Sequence, residues 1–206
     1  MLSFKSFIIE SNEKEGGHLH AFDIDGTLFN PDVKIRVMHG AQHAESLSHS
    51  EFNNHVLKPG HHYDFSEFKS SKKFERSKPI PKMLNKLQAI QRNIKSKPRN
   101  RIILNTARAD FDDKPRFLNA LKTHGIDTEK VRVERAGNDA SEMTTGQKKA
   151  QIISGHIENG KYKHVSLYDD DAENLRQFLK LREKHTGITF HAHHVQPDGS
   201  TRKFEE

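Results

Sequence analysis

From Pro79 onward, short apolar runs of strand length alternate with segments whose apolar residues recur at helical spacing, and few folds accommodate that order. The runs are RIILN (101–105), VRVE (131–134), HVSLY (164–168) and ITFHAHHV (188–195). Between them lie Met83, Leu84, Leu87, Ile90 and Ile94; then Phe117, Leu118 and Leu121; then Ala150, Ile152, Ile153 and Ile157; then Leu175, Phe178, Leu179 and Leu181. Upstream, HLHAFDI (18–24) reads as one more buried strand. This succession predicts an α/β fold, a parallel sheet with right-handed crossovers and helices on both faces. Pro81 and Pro115 sit where helices start, Asp112 or Asp113 is a candidate cap, Thr144 or Thr145 lies near another helix start, and Gly125 ends a helix.

The stretch after the first strand breaks the alternation. VKIRV (33–37) predicts a hairpin, and about 48–78 is polar with Phe52, Tyr63, Phe65, Phe68 and Phe74 at no single period. Residues 31–78 are therefore expected to form a flap and a small cap, most of those aromatics making the cap's own core. Residues 1–17 are assigned to an amino-terminal arm. Its apolar stretch carries Lys5 and lacks a small-residue cleavage site, which makes a poor signal peptide. Residues 18–206 form the remaining domain, a length that suits one domain with an insertion.

Ligands of open parallel sheets bind beyond the carboxyl ends of the strands, where the winding direction switches. Two of the predicted strands run into carboxylates there: Asp23-Ile24-Asp25-Gly26-Thr27-Leu28 after the first, and Asp169, Asp170 and Asp171 after HVSLY. A third ends in Thr106. Asp23 and Asp25 start on the same side of a strand, and Gly26 permits a sharp turn and close approach of an anion. Two carboxyls can then divide the roles of nucleophile and proton carrier. Three consecutive aspartates at the end of an apolar strand point to a cation, with Asp171 left to cap the next helix. Local readings stand beside these: a DxDG turn, or a calcium-like loop, for the first motif, and a strand-end turn bond for Thr106.

DIDGTL, the Thr106 of RIILNT, a lysine of GQKKAQII and the acids of VSLYDDDAENL resemble, in order and placement, the four motifs of the haloacid dehalogenase-like (HAD) superfamily of phosphohydrolases. The resemblance frames residues 18–175 and implies a Rossmann-like sheet with a cap insertion and a magnesium-dependent phosphomonoester hydrolase. By it, Asp23 attacks phosphorus to form a phospho-aspartate. Asp25 protonates the leaving oxygen and later deprotonates the attacking water. Gly26, Thr27, Thr106 and the Ala107 amide bind the phosphoryl group. The motif lysine is Lys149, which precedes Ile152 and Ile153 by three and four, or its neighbour Lys148 on another face. Mg2+ would be held by the Asp23 carboxylate, the Asp25 carbonyl and a fourth-motif acid, Asp169 as first choice and Asp170 as second. Arg108 either grips the phosphate or leaving group or pairs with the nearby Asp110, Asp112 and Asp113.

The stretches EFNNH, YDFSEF, NTARADFDD and RAGN also resemble a subgroup found in tailed bacteriophages, which implies nucleotides or nucleic acid ends as substrate and the host cytoplasm as location. No GxxxxGK[ST] loop is present, so no fused P-loop kinase is expected. The chain has no cysteine, which excludes disulfides, thiolate-bound zinc and a cysteine nucleophile, and a cytoplasmic setting is compatible with that. No run approaches membrane-spanning length. A net charge of +6 favours anionic partners. With the arm, it also motivates the rival reading, a catalytically silent module that binds nucleic acid or an assembly. Phosphoryl transfer to an acceptor other than water is a third reading. His18 and His20 share one strand face, as do His191 and His193; with no third ligand evident they read as packing or solvent-facing residues. Nothing in the sequence bears on oligomeric state.

Overall fold

The computed structural model describes residues 16–52, 55–94 and 96–205. The predicted arm lies almost wholly outside the described residues, and Gly17 already belongs to the first strand. The fold is mixed α/β. Its main sheet draws on β1 (Gly17–Phe22), β7 (Arg101–Thr106), β8 (Val131–Arg135), β9 (Tyr162–Asp169), β10 (Thr189–Val195) and β11 (Thr201–Lys203), in the order β11-β10-β9-β1-β7-β8. All neighbouring pairs are parallel except β10 with β11. From β1 the chain winds outward through β7 and β8, then returns to the other side of β1 for β9 and β10. The direction of winding thus reverses between β1 and β9. Their register sets Phe22 opposite Tyr168, so the next residues, Asp23 and Asp169, leave the sheet side by side.

Alternation along the strands sorts the core into two faces. Phe22, Ile102 and Leu104 pack with Met83, Leu84 and Leu87 of α3 (Pro81–Ile94) and with Phe117, Ala120 and Leu121 of α4 (Lys114–Thr123). Leu19, Ala21, Ile103 and Leu167 point the other way. They meet Ile153 and Ile157 of α5 (Thr145–Glu158) and Leu175, Phe178 and Leu179 of α6 (Ala172–Leu179). Caps fix where three of these helices begin: Asp113 accepts from the Arg116 amide, Thr144 forms a capping box with Gln147, and Asp171 accepts from the Glu173 amide.

Residues between the first strand and α3 form a separate layer. Its neck is a short antiparallel pair, β2 (Phe29–Asn30) with β6 (Lys78–Pro79). Beyond the neck, β3 (Ile35–His39), β4 (Gln42–Leu47) and β5 (His61–Asp64) make a three-stranded antiparallel sheet in the order β4-β3-β5. One-turn helices α1 (His49–Phe52) and α2 (Ser71–Phe74) flank β5 in sequence. Ile35, Val37 and Leu47 form its small core, with Phe52, Tyr63 and Phe68 packed against them.

Several sequence expectations are corrected here. The first strand ends at Phe22 rather than residue 24, because the chain turns as soon as the aspartates begin. The hairpin gains a third strand, β5, whose half-buried HHYD carries no apolar alternation. Phe74 joins the main core, edge-on to Phe29 and Phe117 at 5.3 and 4.8 Å. Leu181 opens its own turn, α7 (Leu181–Lys184), and β10 is followed by the unforeseen β11. No helix among the described residues is long and apolar enough to cross a membrane.

Candidate active site

Asp23 follows the central strand directly, and its amide donates to the Tyr168 carbonyl at 2.9 Å, which ties the end of β1 to β9. The next residues fold back tightly: the Leu28 and Phe29 amides both donate to the Ile24 carbonyl at 2.9 Å. Gly26 makes that turn with φ +77, and a Cβ there would lie 2.3 Å from Asp170 Oδ2. Only glycine lets the backbone press so closely on that carboxylate. The Thr27 hydroxyl also reaches Asp170, donating to Oδ1 at 3.4 Å. Gly26 and Thr27, expected at the substrate, therefore sit behind Asp170 and are not among the residues lining the cavity described below.

Across the sheet switch, Asp169 is fully buried. Its Oδ1 accepts from the Asp171 amide and from Asn174 Nδ2, both at 3.0 Å, and its Oδ2 accepts from Lys149 Nζ at 2.9 Å. The same ammonium donates to Asp23 Oδ1 at 2.5 Å. Of the two candidate lysines, the structure brings Lys149 to both aspartates, while Lys148 turns away to the Asp139 carbonyl. The capping box places the first turn of α5, and Asn105, buried at the end of β7, donates to the Lys149 carbonyl at 3.0 Å. Asn105 and Asn174 position the site although neither was assigned a role from sequence; for Asn105, an asparagine ending an apolar run was the available signal.

Asp25 is held differently. Arg108 donates from Nε to Oδ2 at 2.7 Å and from Nη2 to Oδ1 at 2.6 Å, a two-pronged pair that is almost entirely buried. Its remaining nitrogen donates to the Phe68 carbonyl in the inserted layer, and the guanidinium lies 4.8 to 5.4 Å from the rings of Phe68, Phe74 and Phe111. Of the two roles read for Arg108, an aspartate pair is what the structure holds, but with Asp25 rather than Asp110, Asp112 or Asp113. Thr106 is buried, and its hydroxyl oxygen accepts from the Arg108 amide at 3.1 Å, which is the local turn bond weighed above. Ala107, Arg108 and Ala109 line the cavity in its place.

That cavity measures about 700 Å3. One end carries Asp23, Asp25, Lys149, Asp169, Asp170 and Thr145, the first residue of α5; the other is walled by Ile35, Phe52, Tyr63, Phe65 and Phe68 of the insertion. Asp23, Asp169 and Asp170 each offer a carboxylate oxygen, all within 4.8 Å of one another, so this cluster could hold a metal ion. Four carboxylates here face two buried cations, Lys149 and Arg108. The excess negative charge favours protonation of the carboxyls. Burial raises the Asp23 carboxyl well above its usual range in spite of Lys149, with Asp169 and Asp170 adding to the effect. Burial and Asp169 likewise push Asp170 up to about 7. Against burial, which lowers it, Asp169 and Asp23 hold the Lys149 ammonium above the ordinary lysine range. A site so arranged takes up either protons or a hard cation, and all-oxygen donors suit magnesium or calcium chemistry.

No protein-family model matches the chain, and searches of curated proteins and of solved structures found no match either.

Proposed function

We propose that this chain is a magnesium-dependent phosphomonoester hydrolase of HAD-like, Rossmann-like architecture that works through a phospho-aspartate on Asp23. The observation carrying the reading is the meeting of Asp23, Asp169, Asp170 and Lys149 at the point where the sheet reverses its winding. Asp23, Asp169 and Asp170 would hold the ion, which supplies positive charge that offsets repulsion between a carboxylate and a phosphate dianion.

The residues divide the reaction as follows. An Asp23 oxygen bonds to phosphorus as the bond to the leaving oxygen breaks, and Asp25 gives that oxygen its proton. Asp25 then takes a proton from water as the water oxygen bonds to phosphorus; the bond to Asp23 breaks and inorganic phosphate leaves. Lys149 neutralises charge on Asp23 and on the phosphoryl group. For Asp25 to do this, Arg108 must release one of its oxygens, and a substrate phosphate is itself a group the planar fork binds. The aromatic wall suits a phosphoester with a flat, ring-bearing leaving group, so nucleotides and nucleic acid ends lead the substrate panel.

Phosphate release from aryl phosphates, nucleotides, oligonucleotide ends and sugar phosphates should depend on Mg2+ and fall at least about 10³-fold in Asp23→Asn. A folded wild-type protein that releases phosphate from none of them sinks the reading. The two hydrogen bonds that Arg108 donates to Asp25 are the observation that favours the silent module instead. Salt-sensitive polynucleotide binding by Asp23→Asn, Asp25→Asn, with no turnover by the wild type, would support that alternative.

A further inference from the structure

One face of the main sheet carries five imidazoles: His18 and His20 on β1, His164 on β9, and His191 and His193 on β10, with His18 and His164 paired near the amino ends of their strands, away from the carboxylates. The rings of His18, His164 and His191 stand at the corners of a triangle with centroid separations of 5.5, 5.7 and 6.0 Å. A point in the middle lies roughly 3.3 Å from each centroid. That matches the sum of a zinc–nitrogen bond and the distance from a ring nitrogen to its centroid, roughly 3.2 Å. We propose that His18, His164 and His191 form a binding site for a divalent transition-metal ion of the zinc type, distinct from the carboxylate cluster.

Two further observations point the same way. Ser166 Oγ lies 2.8 Å from His18 Nε2, an outer contact that fixes the ring and leaves Nδ1 to ligate. His20, buried, stacks on His18 with 3.8 Å between centroids and helps to hold that ring in place. As they stand, only the aspartates bring three ligand atoms within 4.8 Å among the described residues; with His18 held by Ser166, it is His164 and His191 that close on an ion by turning about their Cβ–Cγ bonds. Lys97 near His18, Lys86 near His193, and Arg182 and Lys203 near His191 oppose a divalent ion, so modest affinity is expected.

The test uses untagged, metal-stripped full chain in excess Mg2+, which occupies hard-oxygen sites, titrated with Co2+ by visible absorption and with Zn2+ against a chromophoric chelator. The expected result is one Co2+ per chain with the bands of a nitrogen-rich site. Its affinity should fall about tenfold or more in His164→Gln and in His191→Gln, and stay unchanged in His39→Gln, whose ring stacks on His61 in the insertion. His164 is exposed, so its replacement should leave the fold intact, checked by circular dichroism. No Co2+ bound under excess Mg2+, binding unmoved by His164→Gln, or binding lost in Asp169→Asn instead would each overturn the proposal. None of these outcomes depends on catalytic activity.

Discussion

Arg108 shows how one side chain joins two layers. Its fork closes both oxygens of Asp25, its third nitrogen holds the Phe68 carbonyl, and three phenyl rings exclude water around it. A buried pair of this kind contributes little over an apolar substitute, yet breaking one half leaves a stranded charge. Arg108→Ala should therefore destabilise the protein by about 3–5 kcal/mol in urea unfolding. Arg108→Lys should recover only part, because an ammonium cannot span both oxygens and the carbonyl together. Unchanged denaturation midpoints would show that the pair is no strut. None of this could be read in the sequence, since Arg108 and Asp25 are 83 residues apart and three nearer aspartates competed for the role.

At the scale of elements, the tight turn after β1 is the most exacting piece. Gly26→Ala places a methyl carbon against Asp170 in a backbone conformation that disfavours any side chain. It should cost about 1–3 kcal/mol and weaken Mg2+ binding about tenfold or more by displacing a carboxylate, read by calorimetric titration. Unaltered binding would mean that Asp170 takes no part in holding the ion. What the sequence revealed at this scale follows from burial. The runs that became β1, β7, β9 and β10 are apolar because both their faces are covered, at least in part, and Lys149 could be preferred over Lys148 because it shares a helical face with buried Ile153. By contrast, β5 and β11 are short, polar and half exposed, so no periodicity marks them. Phe74 looked like its neighbours in composition and separated from them only through tertiary packing on Phe29 and Phe117. Gly26 and Thr27 were legible as a turn, but their pressing on Asp170 was not, because that contact joins residues 143 apart for Thr27.

For the molecule as a whole, the carboxylate cluster sets a dependence on pH and metal. Asp23 and Asp170 bind protons more tightly folded than unfolded, where a carboxyl titrates near 3.8. Between that value and about 7, the folded chain therefore carries extra protons, and without metal its stability should fall as pH rises through that window. A divalent ion competes for the same oxygens, so magnesium should stabilise more at pH 8 than at pH 5.5. At a hundredfold excess over its dissociation constant the gain is about 2.7 kcal/mol, on the order of 5–10 °C in melting temperature. Equal melting temperatures at both pH values, with and without Mg2+, would refute the coupling. The antiparallel strand at the sheet's margin has a separate consequence. β11 is three residues long and carries Arg202 and Lys203, while the opposite margin, β8, reads Val-Arg-Val-Glu-Arg. A stray strand approaching either rim finds a short ladder and charged side chains instead of a long apolar template, which guards a parallel sheet of this breadth against fibrillar growth.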